Sequence, residues 1–159
     1  MNAGPDSAKK HRKLDSPPVG RATTMQHADV NGIRIAYGVR GSGPPLVLIM
    51  GYRLSSLAWP LDFIEALAER FTVVFFDNRG TGTSDKPTFG YEISNMARDV
   101  SGLLDHLEIA SANILGYSMG GAIAQEFVRQ FPDRVLALVL CATMGGGPRA
   151  VYAPHPLSG

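Results

Sequence analysis

Short, continuous apolar runs alternate along this chain with longer stretches whose apolar residues recur every third or fourth position. The runs are Leu46 to Met50, Thr72 to Phe76, Ala112 to Leu115 and Val135 to Cys141. Runs of this length, without strict alternation, mark strands buried on both faces, as in a parallel sheet. Between them lies helical spacing. Residues 60–70 place Phe63, Ile64, Leu67 and Ala68 on one stripe, and residues 93–107 do the same with Met96, Val100, Leu103, Leu104 and Leu107. A third helix is predicted from Met119 to Gln130, stopped ahead of Pro132. Near the start, runs at 25–30 and 33–39 flank Asn31-Gly32, a pair suited to the type I′ hairpin turn. Residues 41–45 and 77–85 read as loops. A hairpin followed by alternating strands and helices implies an α/β fold, a three-layer αβα sandwich around a mostly parallel sheet.

Composition sets the limits. The chain has 159 residues, 45% hydrophobic and 18% charged, which suits one globular domain. The expected layout is a disordered basic tail at 1–24, a domain at 25–144 and an irregular Gly/Pro-rich tail at 145–159. The first tail carries five basic residues against Asp6 and Asp15, but the net charge of +1 gives no field that would attract nucleic acid. The single cysteine, Cys141, excludes an internal disulfide and reads as a small buried thiol. No window resembles a membrane span or a secretory signal, so the expected location is cytoplasmic.

The chemistry lies in Gly116-Tyr117-Ser118-Met119-Gly120, which fits G-x-S-x-G between a predicted strand and a predicted helix. A tight strand-to-helix turn forces an unusual backbone at the serine. Glycines two residues to either side remove side chains that would collide. The hydroxyl then stands at the carboxyl end of the sheet, where open α/β folds bind ligands. The helix behind it points its first N–H groups at any developing oxyanion. Ser118 is therefore the candidate nucleophile. Asp77, Arg79, Gly80 and Gly82 read as a structural turn, because no Lys-Ser/Thr pair follows to make a phosphate loop. His106 sits near a helix end and His27 in the first hairpin, neither in a favoured place for a base.

With these motifs in order, the chain resembles the α/β-hydrolase superfamily across roughly residues 25–144. The matching segments are Pro44 to Gly51 after the hairpin, Asp77-Asn78-Arg79-Gly80-Thr81-Gly82-Thr83-Ser84-Asp85, Gly116 to Gly121, and Phe131-Pro132-Asp133-Arg134-Val135. They look most like the esterase, enol-lactonase and non-haem haloperoxidase branch. The resemblance implies an oxyanion hole from the backbone N–H groups of Tyr52 and Met119. Tyr52 has a second reading, packing over the cleft. Many relatives carry His-Gly where this chain has Met50-Gly51, which bears on the loop's conformation. The resemblance implies no metal and no organic cofactor, and a small-molecule ester or lactone as substrate.

Serine needs an adjacent base. In this fold the triad acid and then the histidine follow the serine along the chain. After Ser118 the acids are Glu126 and Asp133, and the histidine is His155 in a proline-flanked stretch. Glu126 falls inside the third helix and Asp133 at the opposite end of the sheet. The expectation is an N-terminal portion of the fold, truncated after about the sixth strand, that lacks the triad acid and histidine. The alternative is a catalytically inactive binding or interaction module. The apolar strand 135–141 is also expected to expose an edge through which copies self-associate.

Overall fold

The computed structural model describes residues 24–145; the expected tails and His155 lie outside the described residues. Six strands form one sheet. They are β1 (Gln26–Val30), β2 (Ile33–Arg40), β3 (Pro45–Ile49), β4 (Thr72–Phe76), β5 (Ala112–Tyr117) and β6 (Val135–Cys141). Three helices connect them: α1 (Leu61–Ala68), α2 (Ile93–His106) and α3 (Met119–Gln130). Single 3₁₀ turns at Ser56–Ala58 and Pro132–Arg134 were not foreseen. The sheet order is β1-β2-β4-β3-β5-β6. β1 and β2 pair antiparallel, as do β2 and β4, while β4, β3, β5 and β6 run parallel. Asn31 and Gly32 both take positive φ, 49° and 76°, as the I′ turn requires.

The parallel strands alternate their side chains between two cores. On one face Val47, Ile49, Val74, Phe76 and Ile114 meet Val100 and Leu104 of α2 and Ile123 and Phe127 of α3. On the other, Leu46, Leu48, Val73 and Phe75 meet Ile64 of α1. Helices cover both faces, as expected of strands apolar at every position. The stripe predicted for α1 is narrower than drawn, because Phe63 is exposed and stacks on Trp59.

Two expectations fail at β6. It was read as a buried strand, yet Leu136, Leu138, Val139 and Leu140 are exposed. Cys141 is exposed too, with its carbonyl rather than its thiol engaged. The cause is positional. β6 pairs with β5 along one side, and among the described residues nothing pairs with the other. An apolar sequence records fitness for burial; the neighbours that bury it are a separate matter.

One buried ion pair ties the fold together. Arg79, just after β4, forms a two-pronged bond to Asp99 of α2, with both N···O distances 2.7 Å. Asn31 of the hairpin donates to the same carboxylate at 3.0 Å, and Arg79 also donates to the Gly90 carbonyl. Hydrogen bonding to Asp99 raises the Arg79 pKa above its ordinary value, against the opposing pull of burial. Removing Asp99 would strand a buried guanidinium, and breaking such a pair costs about 3–5 kcal/mol. Asp99→Ala is therefore expected to lower unfolding free energy by about that amount in urea titration; an effect below about 1 kcal/mol would show that the pair is not structural.

Candidate active site

The four parallel strands deliver their carboxyl ends to one rim. Register places Ile49 beside Gly116, and Tyr117 beside Cys141. Ser118 is the first residue beyond β5 and the N-cap of α3, with φ 55° and ψ −122°. That is left-handed territory, uncommon for a non-glycine residue and worth notice where it occurs. The turn is held by the Ser118 N–H donating to the Cys141 carbonyl at 2.9 Å, and by the Gly121 N–H returning to the Ser118 carbonyl at 2.9 Å. The Ser118 side chain makes no capping bond to the helix it begins, so its hydroxyl is not consumed there.

The flanking glycines have the steric role the motif suggests. A Cβ at Gly116 would press on the backbone of Gly120 and Gly121. One at Gly120 would overlap the Ile49 carbonyl oxygen and crowd that of Met50. α3 thus lies closer to β3 than any side chain would allow.

Beside Ser118 runs the segment after β3. A Cβ at Gly51 would sit 3.0 Å from the Ser118 Cβ and 3.4 Å from its Oγ. Tyr52 and Met119 each follow a residue of this contact pair. Among the described residues neither the Tyr52 nor the Met119 backbone N–H donates a hydrogen bond. The Tyr52 side chain is 68% exposed, so it packs little over the cleft. A side-chain amide steadies this loop. Asn78 Nδ2 donates to the Met50 carbonyl at 2.9 Å. Farther along, Asp77 accepts from the Ser56 N–H and hydroxyl, both at 2.7 Å, and from the Thr83 N–H at 2.8 Å. Asp77 is thus a buried clamp, as the structural-turn reading expected. Its partner Ser56 was not foreseen, because nothing in local periodicity links residues 21 positions apart.

A cleft of about 540 Å³ opens at this rim, lined among others by Tyr52, Arg53, Asn78, Thr81, Tyr91 and Met119. Among the described residues no cluster of His, Cys, Asp and Glu could hold a metal ion. His106 Nε2 lies 3.3 Å from the Tyr37 hydroxyl, and His27 Nε2 lies 3.4 Å from the Thr83 carbonyl oxygen. Neither is bonded to Ser118. Glu126 is bonded to Arg129 and Gln130 on α3, and the Arg129 hydrogen bond is the main cause of its pKa falling to about 2. Asp133 is exposed in the 3₁₀ turn before β6.

Two outcomes are expected. Gly120→Ala forces α3 off β3, and overpacking of this kind costs about 1–3 kcal/mol or more; thermal melting checks it, and an unchanged midpoint contradicts the close approach. The Glu126 pKa, depressed in the folded chain, gives a stabilisation present above pH 4.5 and lost as pH falls through about 2. NMR titration should find that low value, and Arg129→Ala should return it towards the ordinary carboxylate range.

Comparison with known proteins agrees with the fold. The family model for the alpha/beta hydrolase fold matches residues 44–156. A soluble epoxide hydrolase from a Corynebacterium species is 39% identical over 123 residues, 77% of this chain and 43% of that enzyme. An enol-lactonase from Burkholderia xenovorans superposes with a TM-score of 0.72 at 34% identity, over 75% of this chain and 47% of its own. An esterase from a Rhodococcus species also gives 0.72, at 32% identity, over 76% and 46%. The chain therefore spans less than half the length of each of these relatives. With the sheet order, the strand-to-helix turn and a family match over most of its length, the chain belongs to the α/β-hydrolase fold family.

Proposed function

We propose that this chain is the nucleophile-bearing portion of a serine hydrolase acting on a carboxylic ester or lactone. Ser118 attacks the substrate carbonyl, and the N–H groups of Tyr52 and Met119 hold the resulting oxyanion. The observation that carries this reading is the pair of unengaged amides flanking a hydroxyl in a left-handed turn. Donors fixed in advance where charge develops are the largest single contribution in many enzymes.

The side chain at the turn also separates the activities named among the relatives. A serine oxygen that opened an epoxide would form an ether, which water does not readily cleave, and the enzyme would stop after one event. A serine oxygen that attacks an ester or lactone forms an acyl-ester, which water can hydrolyse. The epoxide hydrolase likeness therefore speaks for the fold, while Ser118 favours a carbonyl substrate.

The base and its orienting acid are supplied from outside residues 24–145 in this reading. The specific observation favouring the alternative, an inactive binding module, is that no described histidine bonds to Ser118. Acylation distinguishes the two. Incubated with p-nitrophenyl acetate, the chain should form an acetyl adduct on the Ser118 peptide, seen by mass spectrometry and absent in Ser118→Ala. Turnover should be weak, because a site without its full triad retains only roughly 10³–10⁴-fold catalysis over water. No adduct at all supports the binding module.

In this proposal the protein is cytoplasmic and self-associates through β6. Residues 135–141 carry no charge and no proline, and the row of backbone groups facing away from β5 is a template for another copy. Light scattering on a sizing column should show dimers or larger species, and Leu138→Lys should shift them towards monomer. A wild-type monomer at tens of micromolar contradicts self-association.

A further inference from the structure

Arg53 takes φ 58°, a left-handed conformation, one residue beyond the proposed oxyanion donor Tyr52. Of the other non-glycine residues with positive φ, Asn31 forms the hairpin turn, Glu108 follows the end of α2, Ser118 forms the elbow and Ala142 follows β6. Arg53 ends no helix, strand or hairpin. It sits in the turn at residues 52–53 that follows β3, and it lines the cleft. Strain held at a ligand-facing loop is a pointer to function.

The amide, the threonine and the second arginine side chain of that wall are committed to other partners. Asn78 donates to the Met50 carbonyl, Thr81 to the Asn78 carbonyl, and Arg79 to Asp99 and Gly90. Arg79's charge is thereby matched by a carboxylate. Arg53 is exposed and, among the described residues, has no ion pair or hydrogen bond. No Asp or Glu lines the cleft. The wall thus presents one uncompensated cation, whose planar fork of five N–H donors matches a carboxylate. Its Cα is no more than about 7 Å from that of Gly51, which touches Ser118. A carboxylate a few methylenes from the scissile carbonyl would reach it.

We propose that Arg53 is a specificity-determining residue that takes the free carboxylate of an anionic substrate, a half-ester of a short dicarboxylic acid. This rests on the hydrolase reading for the location of the carbonyl, but the binding of the anion does not require turnover. The remainder of the cleft suits such a ligand. Tyr52, Tyr91 and Met119 offer apolar surface for the methylenes.

The test is equilibrium binding of monomethyl glutarate and methyl butyrate to the full chain, followed by ligand-observed NMR. The half-ester should bind roughly tenfold or more tightly than the neutral ester, the scale of one charge-assisted bidentate pair. Arg53→Gly should abolish that preference while preserving the fold, because glycine accepts the left-handed backbone without strain. Arg53→Lys should keep only part of it, because an ammonium keeps the charge and loses the planar fork. Ser118→Ala should leave it unchanged. Equal affinity for the two esters in the wild type, no detectable binding of either, or a preference that survives Arg53→Gly would each overturn the proposal. Loss of Ser118 acylation with the preference intact would instead overturn the hydrolase reading alone.

Discussion

The close approach of α3 to β3 is the constraint on which the rest of the structure depends. Helix and strand meet at Gly120 and Ile49 with no room for a Cβ between them. The chain leaving β5 must therefore turn into α3 within one residue, and that residue is Ser118, driven to positive φ. A left-handed serine would be a liability on a surface loop. Here the cost is offset by the bond from its N–H to the Cys141 carbonyl and by the packing of Ile123, Ala124 and Phe127 beneath it. The same turn leaves the Met119 N–H at the helix start without an intrahelical acceptor, which is what any first helical residue must do.

The second half of the site depends on a different device. The segment after β3 holds Tyr52 in a turn, outside any helix or strand. Its position is fixed from the neighbouring strand, where Asn78 grips the Met50 carbonyl and Asp77 grips Ser56. Asp77 is in turn packed under Gly82, whose Cβ would collide with the carboxylate, and Ser84 links the same turn to β2 through the Ala36 N–H. Arg79 carries the network on to Asp99 and α2. Three consecutive residues after β4 thus brace the loop after β3, the hairpin and a helix.

Much of this was legible in the residues. Unbroken apolar runs located β3, β4, β5 and β6, because a strand buried on both faces has no polar side to reveal. Asn31-Gly32 located the hairpin, because two consecutive positive φ angles suit few other pairs. G-x-S-x-G located the turn, because only glycine fits two residues to either side. What could not be read was the identity of distant partners. Asp99 looked like one polar residue on an amphipathic helix, and only the fold brings it to Arg79. The free edge of β6 was legible, but the exposure of its side chains and of Cys141 was not, because composition states what a strand prefers to touch and is silent on what covers its faces. Arg53 passed unnoticed because an arginine in a loop is ordinary until its backbone angle and its neighbours are known.

The relatives share a scaffold and differ in chemistry, so the assignment turns on Ser118 and the two amides beside it. The most direct measurement is amide NMR of the chain titrated with a small alkylboronic acid, which adds to a serine oxygen to give a tetrahedral anion. If Ser118 and the two N–H groups form an oxyanion site, the Tyr52 and Met119 amide protons should shift strongly downfield together, and Ser118→Ala should abolish both shifts. Boronate binding that moves neither amide, or moves both in Ser118→Ala, would contradict the account.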